Sequence, residues 1–169
     1  ALSAPLLGVA ALALLGCDGA SSRATISSRS PIIGGAPSTD PAVVLLVSYP
    51  ADESVLDTCT AVVVAPKVLL TAAHCVAGAS SSSTLEVLLG SDVTDPAAVL
   101  RRVAGVQVHP DYRKDGDPAD LALLLLAESA PVAPIALNAT ALDGSSVGQS
   151  VRLVGFGQTR PTGDPPGQK

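Results

Sequence analysis

The chain has 169 residues, a formal net charge of −5, 47% apolar residues and 2% aromatic ones. That length holds one ordinary domain and falls short of the roughly 200 to 250 residues that a two-barrel β enzyme needs. The acidic balance and the scatter of the basic residues exclude a nucleic-acid partner, which requires clustered Lys and Arg. Any core must be aliphatic, because Tyr49, Tyr112 and Phe156 are the only rings.

In chain order, Ala4 to Gly16 is almost wholly small and apolar. The run is too short to span a bilayer and has the length of the apolar region of a secretory signal. Its ending, Leu14-Leu15-Gly16-Cys17, resembles a bacterial lipobox, in which the signal is cut before the cysteine and the thiol is acylated. The alternative is an ordinary signal cut nearby, after Ala20. The lipobox reading implies export and membrane attachment through Cys17, and one lipid site still needs other support for firm anchoring. Residues 18 to 31 are rich in Ser, Ala and Arg without periodicity and read as a tether or propeptide.

Ile32-Ile33-Gly34-Gly35 reads by itself as a strand start and a turn. Ala42 to Tyr49 is an apolar run suited to a buried strand, and Pro50 to Asp57 is a polar loop. The stretch from Cys59 to Cys75 is the most informative in the chain. Val62-Val63-Val64 and Val68-Leu69-Leu70 flank Pro66-Lys67, the pattern of two strands around a turn. Thr71-Ala72-Ala73 then sets His74 beside Cys75. A zinc site using Cys59, His74 and Cys75 is set aside, because no fourth ligand occurs at zinc-like spacing.

Thr71-Ala72-Ala73-His74-Cys75 resembles the first catalytic motif of the trypsin-like (chymotrypsin-fold) serine proteases. The resemblance implies that His74 is a general base and that Cys59 pairs with Cys75, with Cys17 as the odd cysteine of three. Export would supply the oxidising compartment such a bond needs. Ile32 then resembles the mature N-terminus of that family, where cleavage frees an amine that folds inward onto a carboxylate partner. Pro31 precedes Ile32, and Arg29 lies two residues further back. Trimming by another protease, not tryptic self-cleavage, is therefore the expectation.

Ser80 to Ser83 reads as a loop, and Thr84 to Leu89 and Val99 to Val108 as further strands whose spacing suits an all-β barrel. Arg101-Arg102 reads as a solvated strand edge without function. His109-Pro110-Asp111-Tyr112 resembles a recurrent structural segment of the same family. Ala119-Asp120-Leu121-Ala122-Leu123-Leu124 resembles the family's Asp-Ile-Ala-Leu-Leu motif, which implies that Asp120, at the mouth of a buried strand, orients His74. A carboxylate there accepts the imidazole N–H, fixing the tautomer and stabilising the imidazolium. Asp115 and Asp117 are the nearby decoys.

Ala130-Pro131-Val132-Ala133-Pro134 reads as a linker. Val151 to Thr159, with Gly155-Phe156-Gly157, resembles the strand that opens the family's second barrel, with Phe156 in place of Trp. No Gly-Asp-Ser-Gly-Gly sequence, the family's nucleophile motif, occurs in the chain, and Ser145 in Asp143-Gly144-Ser145-Ser146 reads as a turn.

The expected fold is all-β: a chymotrypsin-like six-stranded first barrel with only the start of the second. The divisions are a signal at 1–17, a tether at 18–31, the barrel at 32–130, and a linker with an opening strand at 131–169. The implied function is serine endopeptidase action by acyl transfer on protein or peptide substrates, with no cofactor and no metal. The 169 residues alone are expected to be inactive. Two alternatives stay open. One is a non-catalytic homologue serving as a binding module on the cell envelope, against which the presence of both His74 and Asp120 counts. The other is a half-fold that dimerises to cover an open barrel face.

Overall fold

The computed structural model describes residues 35–49, 57–79, 84–113 and 118–157. Cys17, Ile32, Asp115, Asp117 and the signal and tether segments lie outside the described residues. Six antiparallel strands close into a barrel in the order β1-β2-β3-β6-β5-β4. They are β1 (Val43–Tyr49), β2 (Asp57–Ala65), β3 (Val68–Thr71), β4 (Thr84–Leu89), β5 (Val99–Val108) and β6 (Ala122–Leu126). The ladder between β1 and β4 completes the closure, and closure removes the unpaired edges that an open sheet would leave. The all-β, barrel expectation is borne out.

The barrel interior is aliphatic, filled by alternate residues of each strand. Val44 and Leu46 of β1, Val63 of β2, Leu69 of β3, Val87 of β4 and Leu124 and Leu126 of β6 are fully buried. Each such side chain contributes roughly 1.5–3 kcal/mol through burial. Ala61, Ala73 and Ala122 fill the narrow places between them. No aromatic ring joins this interior cluster as a fully buried member; Tyr112 packs against it from the side.

β1 is apolar without alternation because both of its faces are covered. Its outward Leu45 and Val47 form a second cluster with Phe156, which is 4% exposed. Phe156 reaches them on a chain that leaves β6 and runs back along β2. Ala130 N–H donates to the Pro66 carbonyl (2.8 Å), Ile135 N–H to Val63 (2.9 Å), and Phe156 N–H to the Thr60 hydroxyl (2.9 Å). A Cβ added to Gly155 would lie 2.9 Å from Thr60 Oγ1, so the close approach at this point depends on glycine. Arg152 grips Asp40 through two bonds of 2.5 and 2.8 Å, tying the same chain to the segment ahead of β1.

Two expectations change in detail. β6 was expected to be buried, yet only one face is: Leu121, Leu123 and Leu125 are 41–50% exposed while Ala122, Leu124 and Leu126 line the core. The continuous run of leucines concealed the alternation. Arg101 and Arg102 lie where β5 is laddered to β4 alone, its pairing with β6 starting at Val103; Arg101 donates to the Ser129 carbonyl and lies 3.6 Å from Glu128. Residues 151–157 form no ladder among the described residues; they dock as extended chain on the outside of the barrel.

Candidate active site

The β2–β3 hairpin turns at Pro66-Lys67, as its sequence predicts. Past Thr71 the chain enters a single 3-10 turn, Ala73–Cys75. Two neighbours of His74 anchor this turn. Ala73 is fully buried, and Cys75 is joined by a disulfide to Cys59 of β2, with the Cα atoms 6.1 Å apart. Thr71, the one buried polar residue among the described residues, donates its hydroxyl proton to the Thr60 carbonyl (2.9 Å), so it enters the wall without an unsatisfied group. His74 is consequently fixed at the barrel rim.

Asp120 arrives from the other direction. In the β3–β6 ladder Thr71 lies opposite Ala122. Antiparallel pairing therefore places the residues just after β3 beside those just before β6. His109 N–H donates to the Leu121 carbonyl (2.9 Å), which fixes the entry to β6. Within the His109–Tyr112 turn, Asp111 N–H donates to His109 Nδ1 (3.2 Å) and Tyr112 N–H to the His109 carbonyl (3.0 Å). His109 is thus a turn residue behind Asp120.

The Asp120 carboxylate holds His74 at two points. Oδ1 accepts from the His74 backbone N–H at 2.9 Å, and Oδ2 lies 2.7 Å from Nδ1. Partial burial pushes the Asp120 carboxyl up, but the hydrogen bonds from the His74 ring and backbone outweigh it, and the carboxyl settles below its ordinary value. An ionised carboxylate only accepts, so Nδ1 carries the proton and the lone pair is on Nε2. The two side chains are 33% and 22% exposed. The arrangement presents an oriented, solvent-accessible base whose protonated form has a countercharge in contact.

Sequence reading names the ring contact and misses the backbone contact. No motif separates an aspartate that accepts from a ring from one that also accepts from a main-chain N–H. Ser145 lies in a second 3-10 turn, Gly144–Ser146, with its hydroxyl on Asp143 Oδ1 (2.6 Å), and so remains a turn residue. Cys59, His74 and Cys75 do present ligand atoms within 4.8 Å of one another, with both sulfurs bound in the disulfide.

Comparisons with known proteins bear on this geometry. A family profile described as Trypsin matches residues 32–168. A trypsin of Simulium vittatum is 30% identical over 168 residues, covering 92% of this chain and 64% of its own length. A trypsin of Saccharopolyspora erythraea is 29% identical over 102 residues, covering 60% of this chain and 44% of its own. The chain therefore spans less than two thirds of these curated relatives. A solved structure described as "Structure of GrC" superposes with a TM-score of 0.59 at 24% identity, covering 79% of this chain and 60% of that one; at that identity the likeness is one of fold.

Proposed function

Since the chain belongs to the trypsin family over residues 32–168, we propose that it supplies the base half of a serine endopeptidase that hydrolyses peptide bonds by acyl transfer. His74 is the general base and Asp120 its orienting partner. The observation that carries this reading is the two-point hold of Asp120 on His74, which leaves Nε2 as the acceptor for a hydroxyl proton. In the reaction Nε2 takes the proton of a serine hydroxyl as that oxygen attacks the scissile carbonyl. The imidazolium is stabilised by the Asp120 carboxylate and returns the proton to the leaving amine.

The attacking serine and the oxyanion-binding N–H groups are proposed to come from a second barrel encoded beyond Lys169. The absence of a Gly-Asp-Ser-Gly-Gly sequence in these residues supports this, as does the uncovered apolar surface. Leu137, Leu142, Val147, Val151 and Leu153 are 62–84% exposed, as strand residues awaiting partners would be. In this reading 151–157 open the second barrel, and the 169 residues alone are inactive.

Ile32 is proposed as the mature N-terminus, freed by another protease. Asp40 lies eight residues on and is clamped by Arg152, so the new terminus has a fixed point from which to fold inward. Export is proposed from the apolar run ending at Cys17, with lipid attached to that thiol and the protein held at the cell envelope. Among the described residues no helix is long and apolar enough to cross a membrane.

The test is to read the gene past the codon for Lys169 and express the whole frame. A frame that continues into Gly-Asp-Ser-Gly-Gly, with peptide-ester hydrolysis abolished by His74→Ala, is the expected result. A stop codon directly after Lys169 would overturn the endopeptidase reading and favour a non-catalytic binding module.

A further inference from the structure

We infer that His109 is a positioning residue for the His74–Asp120 pair, its unprotonated Nδ1 standing in for an asparagine oxygen in the turn that sets where Asp120 points. The two ladders that hold β6 both stop at Ala122, opposite Val108 on one side and Thr71 on the other. Asp120 lies two residues outside them. Its direction is therefore decided by what holds Ala119 to Leu121.

Two backbone bonds do this. Leu121 N–H donates to the Ala119 carbonyl at 2.7 Å, which closes a three-residue turn centred on Asp120. The Leu121 carbonyl accepts from His109 N–H at 2.9 Å, which ties that turn to the end of β5. Whatever fixes the backbone of His109 thus fixes the base of the Asp120 side chain.

His109 opens a four-residue turn in which Tyr112 N–H donates to its carbonyl at 3.0 Å, with Pro110 at the second position, where its ring suits the bend. Asp111 N–H belongs to no ladder and donates to His109 Nδ1 at 3.2 Å. An asparagine or aspartate at the head of such a turn accepts from the N–H two residues on through its side-chain oxygen. A ring nitrogen that accepts carries no proton, so the proton of the neutral His109 ring is on Nε2.

Other contacts keep the turn from opening when that bond is lost. The Arg113 guanidinium donates to the Pro110 and Tyr112 carbonyls, and Tyr112 packs against the barrel interior. Loss of the Nδ1 acceptor therefore displaces Asp120 without unfolding the barrel. The hold of Asp120 on His74, at 2.9 and 2.7 Å, weakens at both points. Against the upward push of partial burial, those bonds keep the Asp120 carboxyl below its ordinary value, so it moves back up as they lengthen. The consequence for catalysis rests on the proposed base role of His74: in an active enzyme, His109→Ala lowers kcat about tenfold or more while KM stays within about twofold.

The experiment uses the 169-residue chain and needs no turnover. NMR measures amide hydrogen exchange at His74 and the carbon-13 titration of the Asp120 carboxyl in wild type, His109→Ala and His109→Asn. The amides of Val63 and Leu126, bonded within the barrel wall to Ala42 and Lys67 at 2.8 Å, report whether the fold holds. In His109→Ala the His74 amide should exchange roughly five- to tenfold faster and the Asp120 titration should move up toward 3.8. His109→Asn, which keeps an acceptor at the head of the turn, should restore both, and Val63 and Leu126 should be unchanged throughout.

Wild-type values in His109→Ala would overturn the assignment, and so would a His109→Asn variant that behaves as His109→Ala does. Acceleration of Val63 and Leu126 as large as that of His74 would also overturn it, because His109 would then support the barrel at large. The expected shifts in a chain whose whole reading frame never hydrolyses substrate would leave His109 as a positioning residue while removing the endopeptidase reading.

Discussion

Thr71 and Ala122 face each other where the β3–β6 ladder ends, and that single register decides that His74 and Asp120 meet. The two site residues are 46 positions apart, one just after β3 and the other just before its neighbour β6. Slipping the register by one residue would turn every inward side chain of β6 outward, so the core leucines and the candidate site are fixed by the same pairing. In the observed register the burial of Leu124 and Leu126 and the arrival of Asp120 at the rim beside His74 come together.

If the whole reading frame encodes the proposed endopeptidase, Asp120→Asn in it should leave the fold intact and lower kcat by roughly 10⁴-fold, because the amide no longer enforces the tautomer with the lone pair on Nε2. Steady-state hydrolysis of a peptide ester, beside a circular dichroism spectrum, provides the check. A loss of less than tenfold would show that orientation of His74 does not depend on the carboxylate.

Removing the disulfide by Cys59→Ala with Cys75→Ala should cost about 3 kcal/mol, the value expected for closing a loop of this length. Urea denaturation of the 169-residue chain measures it. The barrel ladders persist without the bond, so the variant should remain folded in the absence of denaturant.

Phe156→Ala should destabilise by about 3–5 kcal/mol, a large effect for a residue outside the barrel interior, because it uncovers Leu45 and Val47. Gly155→Ala should act in the same direction by about 1–3 kcal/mol, since the added methyl meets Thr60 Oγ1 at 2.9 Å and the hydroxyl must give up the Phe156 N–H. Denaturant midpoints of both variants, with unchanged β content, are the measurement. A midpoint shift in neither would mean that the chain beyond β6 contributes no stability.

The stability that Asp120 contributes has a definite pH dependence. Its folded carboxyl titrates below the ordinary value of 3.8, so the contribution is complete above that value and is lost as pH falls through it toward the folded pKa. The difference in urea midpoint between wild type and Asp120→Asn should therefore shrink as pH falls below about 4. A difference that stays constant to pH 2 would show that the hydrogen bonds to His74 do not stabilise the ionised form.

Sequence alone determined the elements with strong local signals. The hairpin around Pro66-Lys67 follows from β-branched and aliphatic runs broken by a turn, and the aliphatic core follows from a composition with 2% aromatic residues. Thr71 to Cys75 and Asp120 to Leu124 named the two residues that the structure holds 2.7 Å apart, because a local motif records side-chain identity and order. Tertiary structure alone decided what those residues do besides. The backbone bond from His74 to Asp120, the Arg152–Asp40 clamp with a separation of 112 residues and the seating of Phe156 on Leu45 and Val47 are long-range contacts with no local pattern. Burial is decided in the same way: β1 and β6 both read as unbroken apolar runs, yet β1 is covered on its outer face by the returning chain and β6 is not. Hydrophobic periodicity reports what a strand could bury; only the path of the rest of the chain determines which of its faces meets water.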